Sequence, residues 1–185
     1  MEQLNRKVPK TGGQEMMNII QQLAKVLIEQ RFRMTTAESC TGGLIAAHLT
    51  RLAGSSAWFD SAIITYSNQA KIRLLEVSGE TLACHGAVSQ QTAQEMVLGV
   101  VLLNEVEVGI SVTGIAGPDG GSKEKPVGTV WIAWNIAPWN LLKTELFHFE
   151  GKRDEIRNQV VITALEGLLT LLKDTNSRKF KENLI

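Results

Sequence analysis

The sequence predicts a single α/β domain of three layers, α/β/α, with a mostly parallel sheet and an antiparallel C-terminal hairpin. Three observations lead there. Apolar residues recur at three- and four-residue steps near both ends, the mark of amphipathic helices. Short apolar, β-branched runs alternate with helical patterns through the middle, as parallel sheets require. Two strand-like runs then follow each other with no helix between, which only an antiparallel connection allows.

Met16, Ile19, Ile20, Leu23, Val26 and Leu27 place the first helix over residues 13–30. Residues 33–39 open a strand rich in Thr. Gly42 and Gly43 follow, and residues 44–52 are helical in pattern, so Ser39 stands where a strand turns into a helix. Residues 62–66 form a short buried strand, and residues 68–76 a helix. Ser89 caps a helix carrying Ala93, Met96, Val97, Val100 and Val101. Residues 106–112 are a further strand, and a glycine-rich loop runs from Thr113 to Gly128. Residues 129–136 and 141–149 pair as a hairpin through Pro138. The last helix carries Ile156, Val160, Val161, Leu165, Leu168, Leu169 and Leu172. The domain therefore spans residues 14–173, with a flexible N-terminal extension over 1–13 and a flexible C-terminal tail over 174–185 expected from their polar, aperiodic composition.

With 185 residues the chain makes one ordinary domain, a size that buries roughly 70% of the unfolded surface. Lys plus Arg total 19 and Asp plus Glu total 19, so no positive excess favours phosphate backbones, and nucleic acid is not an expected partner. Cys40 and Cys84 form neither a Cys-x-x-Cys pair nor a zinc-spaced cluster, so no disulfide framework or metal is expected. No apolar run reaches membrane-spanning length, and residues 1–13 lack the apolar core of a signal peptide. A cytoplasmic location and no membrane partner are expected.

In such sheets ligands bind beyond the carboxyl ends of the strands. Three polar clusters fall there: 38–41, 66–68 and 113–114. In the first, the turn after Ser39 offers unpaired N–H groups, so the Ser39 hydroxyl is a candidate nucleophile. Backbone groups near Thr41, Gly42 and Gly43 are candidates to hold an oxyanion or phosphate. Helix capping explains the segment better when it is taken alone. It is not a Gly-x-Ser-x-Gly elbow, because Ala37 and Thr41 replace the glycines. Cys40 is a second candidate nucleophile, although a small buried apolar role suits it better. In the second cluster, Lys71 with a lowered pKa, or Tyr66, can take a serine proton. A wet tyrosine hydroxyl and a solvated lysine are the plainer readings in isolation. In the third, four glycines within eight residues let a backbone approach a ligand, and Gly114 and Gly117 would line a wall opposite Ser39. The loop fits neither a P-loop nor Gly-x-Gly-x-x-Gly, so a nucleoside triphosphate or NAD-type cofactor is not supported. Arg153, at the start of the last helix, sits on the wrong side of the helix dipole and is a candidate for an external anion. His48, His85 and His148 show no carboxylate partner at useful spacing. Trp131, Trp134 and Trp139 cluster at the hairpin and read as core or an oligomer contact.

Seven segments together resemble the C-terminal domain of the CinA competence/damage-inducible family. They are AESCTGG (37–43), AGSSAWF (53–59), ITYSNQAK (64–71), HGAVS (85–89), TGIAGPDGG (113–121), KPVGTVWIA (125–133) and FEGKRDEIR (149–157). The likeness covers residues 14–173, with Ala53 where the family often has proline. Stand-alone members deamidate nicotinamide mononucleotide. The resemblance thus implies a hydrolase acting on a linear amide, giving nicotinate mononucleotide and ammonia in pyridine nucleotide salvage. It implies Ser39 as nucleophile, Tyr66 and Lys71 as its activating partners, Thr113 and Arg153 as site residues, and no metal or other cofactor. Ser56 is expected to add a hydroxyl. The partner is then a small nucleotide, and a homo-oligomer is expected from the Trp-rich hairpin and the apolar first helix. The alternative is a catalytically silent nucleotide-binding domain that regulates a partner in competence or the DNA damage response.

Overall fold

A computed structural model describes residues 13–182, with side chains described to residue 174. The order of elements is α1 (Gly13–Gln30), β1 (Met34–Glu38), α2 (Leu44–Leu49), β2 (Phe59–Ile64), α3 (Asn68–Leu75), α4 (Gly79–His85), α5 (Gln90–Asn104), β3 (Val108–Gly114), β4 (Thr129–Ile136), β5 (Leu141–His148) and α6 (Arg153–Glu182). The strands lie in the order β2-β1-β3-β4-β5. β1 is parallel to both β2 and β3, whereas β4 runs antiparallel to both β3 and β5. The three expected layers are present.

One layer is α1, α2 and α6. Met16, Ile20, Leu23 and Leu27 of α1 and Val160, Leu165, Leu168 and Leu172 of α6 pack on Ile110, Val112, Ile132 and Trp134 of the sheet. Fully burying Ile20, Leu23 and Leu27 stabilises the fold by about 1.5–3 kcal/mol each. The other layer is α3, α4 and α5, whose Leu75, Leu82, Met96 and Val97 cover Ala37 and Ala133 on the opposite face. Ser67, Ser78 and Ser89 cap these three helices through their hydroxyls.

The connections fix where a ligand can bind. The chain leaves β1 for β2 by way of α2, on the α1–α6 face. It returns by way of α3–α5, on the opposite face, to β3 on the far side of β1. The two crossovers part at the carboxyl end of β1, which is the topological switch point where open α/β sheets bind ligands.

Three differences from the sequence reading have local causes. α4 was not foreseen, because only Leu82 of its seven residues packs on a core. Thr113 and Gly114 complete β3 instead of opening the loop, because they pair with Trp131 and Val130 of β4. α6 continues to Glu182, nine residues past 173, where apolar spacing ends but no glycine or proline stops the backbone. The expected N-terminal extension lies outside the described residues apart from Gly13. Among the described residues no helix is long and apolar enough to cross a membrane.

Candidate active site

Ser39 follows the last residue of β1, and its N–H donates to Val112 O of β3 (3.1 Å). Its hydroxyl is brought against Lys71 of α3: Lys71 Nζ donates to Ser39 Oγ at 3.0 Å and to the carbonyl of Thr65 at 2.8 Å. Lys71 is only 1% exposed. Burial pushes its ammonium below the ordinary lysine value, opposed by the neighbouring Cys40 thiol. No carboxylate is hydrogen-bonded to the amine among the described residues. A desolvated amine on a serine hydroxyl is the arrangement that lets lysine serve as a base near neutral pH.

Cys40 is buried, and burial pushes its thiol up to about 12. Its own backbone N–H, Lys71 and Arg157 pull the other way and Glu38 pushes further, without overcoming desolvation. The thiol is protonated at neutral pH, and the Lys71 amine is hydrogen-bonded to Ser39.

The turn after Ser39 is organised by Glu38, a residue the sequence reading passed over. Its buried carboxylate accepts from Thr41 Oγ1 (2.6 Å) and from the N–H groups of Gly43 (2.9 Å), Ile45 (3.2 Å) and Ala46 (3.0 Å). Gly42 and Gly43 have φ of 60° and 95°, a left-handed path that other residues take only with strain. The Gly42 N–H donates to Ser39 O. The N–H groups of Gly42 and Gly43 and the Thr41 hydroxyl are therefore already spent, contrary to their expected role toward an anion. The N–H group of Thr41 makes no hydrogen bond among the described residues, while that of Cys40 faces its own thiol. A carboxylate directly after a strand and just ahead of a Gly-Gly turn was the available signal for Glu38.

A second group stands at the same rim. The Tyr66 side chain is 62% exposed, and its hydroxyl accepts from Arg153 Nη2 at 2.7 Å. Arg153 Nη1 donates to Gly117 O at 2.7 Å. Tyr66 thus bonds to Arg153, and neither Ser39 nor Lys71 is its hydrogen-bond partner. One turn into α6, Arg157 Nη2 donates to Thr41 O at 2.8 Å, which ties the helix to the serine turn. Its position four residues after Arg153 was the legible sign.

Thr113 is buried, and its hydroxyl donates to Ala87 O at 2.7 Å, so it braces the 86–89 turn. A Cβ on Gly114 would meet Val130 and one on Gly117 would meet Val127, so neighbouring chain accounts for both glycines. Ser56 lies in a single 3₁₀ turn, Ser55–Ala57, just before β2. That is the amino end of the strand, about 20 Å along the sheet from the carboxyl rim, so within one chain Ser56 is not brought to the others. His48 is half-buried with burial holding its imidazole below the usual value, and His148 ends β5. Trp134 is core, its indole N–H donating to Ala164 O at 2.8 Å, and Trp139 packs edge-on against Phe32. Among the described residues no group of three or more His, Cys, Asp or Glu could hold a metal ion.

Fold and site define an α/β domain with a buried Ser–Lys pair at its switch point. The CinA C-terminal domain model matches residues 16–172, and the chain belongs to that family. It is 46% identical over 154 residues to the nicotinamide-nucleotide amidohydrolase PncC of Escherichia coli K12, covering 83% of this chain and 93% of that protein. A PncC of Enterobacter agglomerans is 52% identical over 136 residues, 74% of this chain and 82% of its own. The crystal structure of the competence/damage inducible protein CihA of Agrobacterium tumefaciens superposes with a TM-score of 0.82 at 42% identity, covering 87% of this chain and 96% of that one.

Proposed function

We propose that this protein is a nicotinamide-nucleotide amidohydrolase that converts nicotinamide mononucleotide to nicotinate mononucleotide and ammonia, with Ser39 as nucleophile. The observation that carries the reading is the 3.0 Å contact between the buried Lys71 amine and the Ser39 hydroxyl, in a chain this similar to the PncC amidohydrolases. Neutral Lys71 takes the serine proton as Oγ attacks the carboxamide carbon. The N–H group of Thr41 receives the negative oxygen. Lys71 then returns the proton to the leaving nitrogen, the C–N bond breaks, and ammonia departs from an acyl ester on Ser39. Water attacks that ester as Lys71 takes one of its protons, Lys71 passes that proton to Ser39 Oγ as the acyl C–O bond breaks, and the acid product leaves, ionising to the carboxylate.

Arg153 and the Tyr66 hydroxyl form the anion site for the nucleotide phosphate, since the guanidinium fork suits its geometry. A phosphorylated substrate does not cross membranes unaided, which supports a cytoplasmic salvage role. The intact Ser–Lys pair favours catalysis over a silent regulatory domain. Ammonia release from purified protein is expected with nicotinamide mononucleotide and is expected to vanish in Ser39→Ala. Turnover in that variant equal to the parent would exclude this mechanism.

A further inference from the structure

The sheet has two edges, β2 and β5, and they are built differently. β2 is blunted: its pairing with β1 shifts register between Met34 and Thr35, and Asp60 is tied to Arg33 in an ion pair. β5 keeps a regular eight-residue ladder with β4 and, among the described residues, has no strand on its other side. Leu142 and Leu146, 40% and 52% exposed, point to the α5 face of this edge, and Thr144 between them has a buried hydroxyl with no partner. On the other face Lys143 and Glu145 lie side by side at 2.7 Å. A regular edge bearing exposed leucines is an unsatisfied surface.

We propose that β5 pairs antiparallel with β5 of a second copy of this chain about a twofold axis at Thr144, joining two sheets into one of ten strands. The argument is self-complementarity in one register. With the axis at Thr144, Lys143 stands opposite Glu145 of the partner subunit, and Glu145 opposite Lys143 of the partner subunit. Leu142 stands opposite Leu146 of the partner subunit, Leu141 opposite Phe147 of the partner subunit, and the two Thr144 residues stand opposite each other. Opposite charges, apolar pairs and Thr–Thr contacts are the favoured cross-strand neighbours. With the axis on 143 or 145, two lysines or two glutamates would be opposed. With the axis between residues, Lys143 would face Thr144 or Leu146 of the partner subunit instead of a carboxylate. The charge pattern therefore selects one register and rejects its neighbours. The inference is independent of the proposed amidase chemistry, because β5 is the sheet edge remote from β1.

Charge reversal tests the register directly, with mass by sedimentation or light scattering as the readout. The parent is expected to be a dimer. Lys143→Glu and Glu145→Lys alone each create two like-charge contacts by symmetry and are expected to weaken the dimer at least about tenfold. The double variant Lys143→Glu/Glu145→Lys restores opposite pairing and is expected to dimerise again. Melting temperature and ammonia release serve as folding controls and are expected to stay near the parent's in all three. A monomeric parent, single variants as dimeric as the parent, or a well-folded double variant that stays monomeric would each overturn the proposal.

Discussion

In the proposed mechanism Lys71 owes its usefulness to an environment hostile to its charge. Burial favours the neutral amine, and only the neutral amine can accept the Ser39 proton. kcat is therefore expected to rise with pH and level off at a pH below the ordinary lysine value, checked by a pH–rate profile at saturating substrate. Stability carries the opposite side of the same shift. As pH falls from the ordinary value, the unfolded chain protonates this lysine first, so its cost to folding grows until the folded amine is protonated too, then stays constant. Lys71→Arg keeps a cation that does not deprotonate, and is expected to lower kcat by about 10²–10⁴-fold. Tyr66 offers the complementary prediction. Its hydroxyl bonds to Arg153, so Tyr66→Phe is expected to raise KM while kcat stays within about threefold, and Tyr66→Ala to raise KM further. A loss of kcat in Tyr66→Phe near that of Lys71→Arg would place the phenol in the proton path instead. The residues of this site were legible in their motifs, but the partner of Tyr66 was not. The bond joins positions 87 apart and depends on how α6 docks, which no local pattern records.

The element that makes Ser39 available is the turn between β1 and α2, and a single carboxylate shapes it. Glu38 satisfies three backbone donors and one hydroxyl, which leaves the Thr41 N–H as the free one beside Ser39. The sequence pointed to backbone groups near Thr41, Gly42 and Gly43 without showing that the last two N–H groups are engaged, because side-chain capping from before the turn has no spacing rule as clear as the capping box. Glu38→Gln turns one acceptor oxygen into a donor facing donors. It is expected to destabilise the fold by about 2 kcal/mol, which for this size lowers Tm by about 4–8 °C. Calorimetry checks it, and an unchanged Tm would show that the turn holds without the charge. Arg157 braces the turn from α6 through Thr41 O. Arg157→Ala is expected to lower kcat about tenfold with KM nearly constant, because the bond positions the turn and does not touch substrate; Arg157→Lys is expected to recover part of the loss.

At the scale of the whole molecule, the proposed catalysis requires two layers to agree. Ser39 belongs to the sheet, while Lys71 rides on α3, and α3 is located by its contact with α5. That contact is tight at one point: a Cβ on Gly99 of α5 would collide with the backbone carbonyl of Leu75, the last residue of α3 and one turn beyond Lys71. The alternation of strands and helices made the layers legible, since burying each apolar face leaves few topologies. The spacing between layers was not legible, because a glycine in a helical pattern reads only as a weak position. Gly99→Ala improves helix propensity by about 1 kcal/mol, yet the carbonyl it meets cannot rotate away as a side chain could. α3 must move, and Lys71 moves with it. A displacement near 1 Å is expected to lower kcat by roughly 10–100-fold, with a net loss of about 1–3 kcal/mol in stability. Gly167→Ala is the matched control. Its Cβ would collide with the Trp134 indole on the opposite face of the sheet, at similar cost in stability but with no path to Lys71. It is expected to melt early and keep kcat within about twofold. If both variants lose stability and neither loses kcat, the Ser39–Lys71 distance is not set by the seating of α3 on α5, and the geometry must be held from within the β2–α3 turn alone.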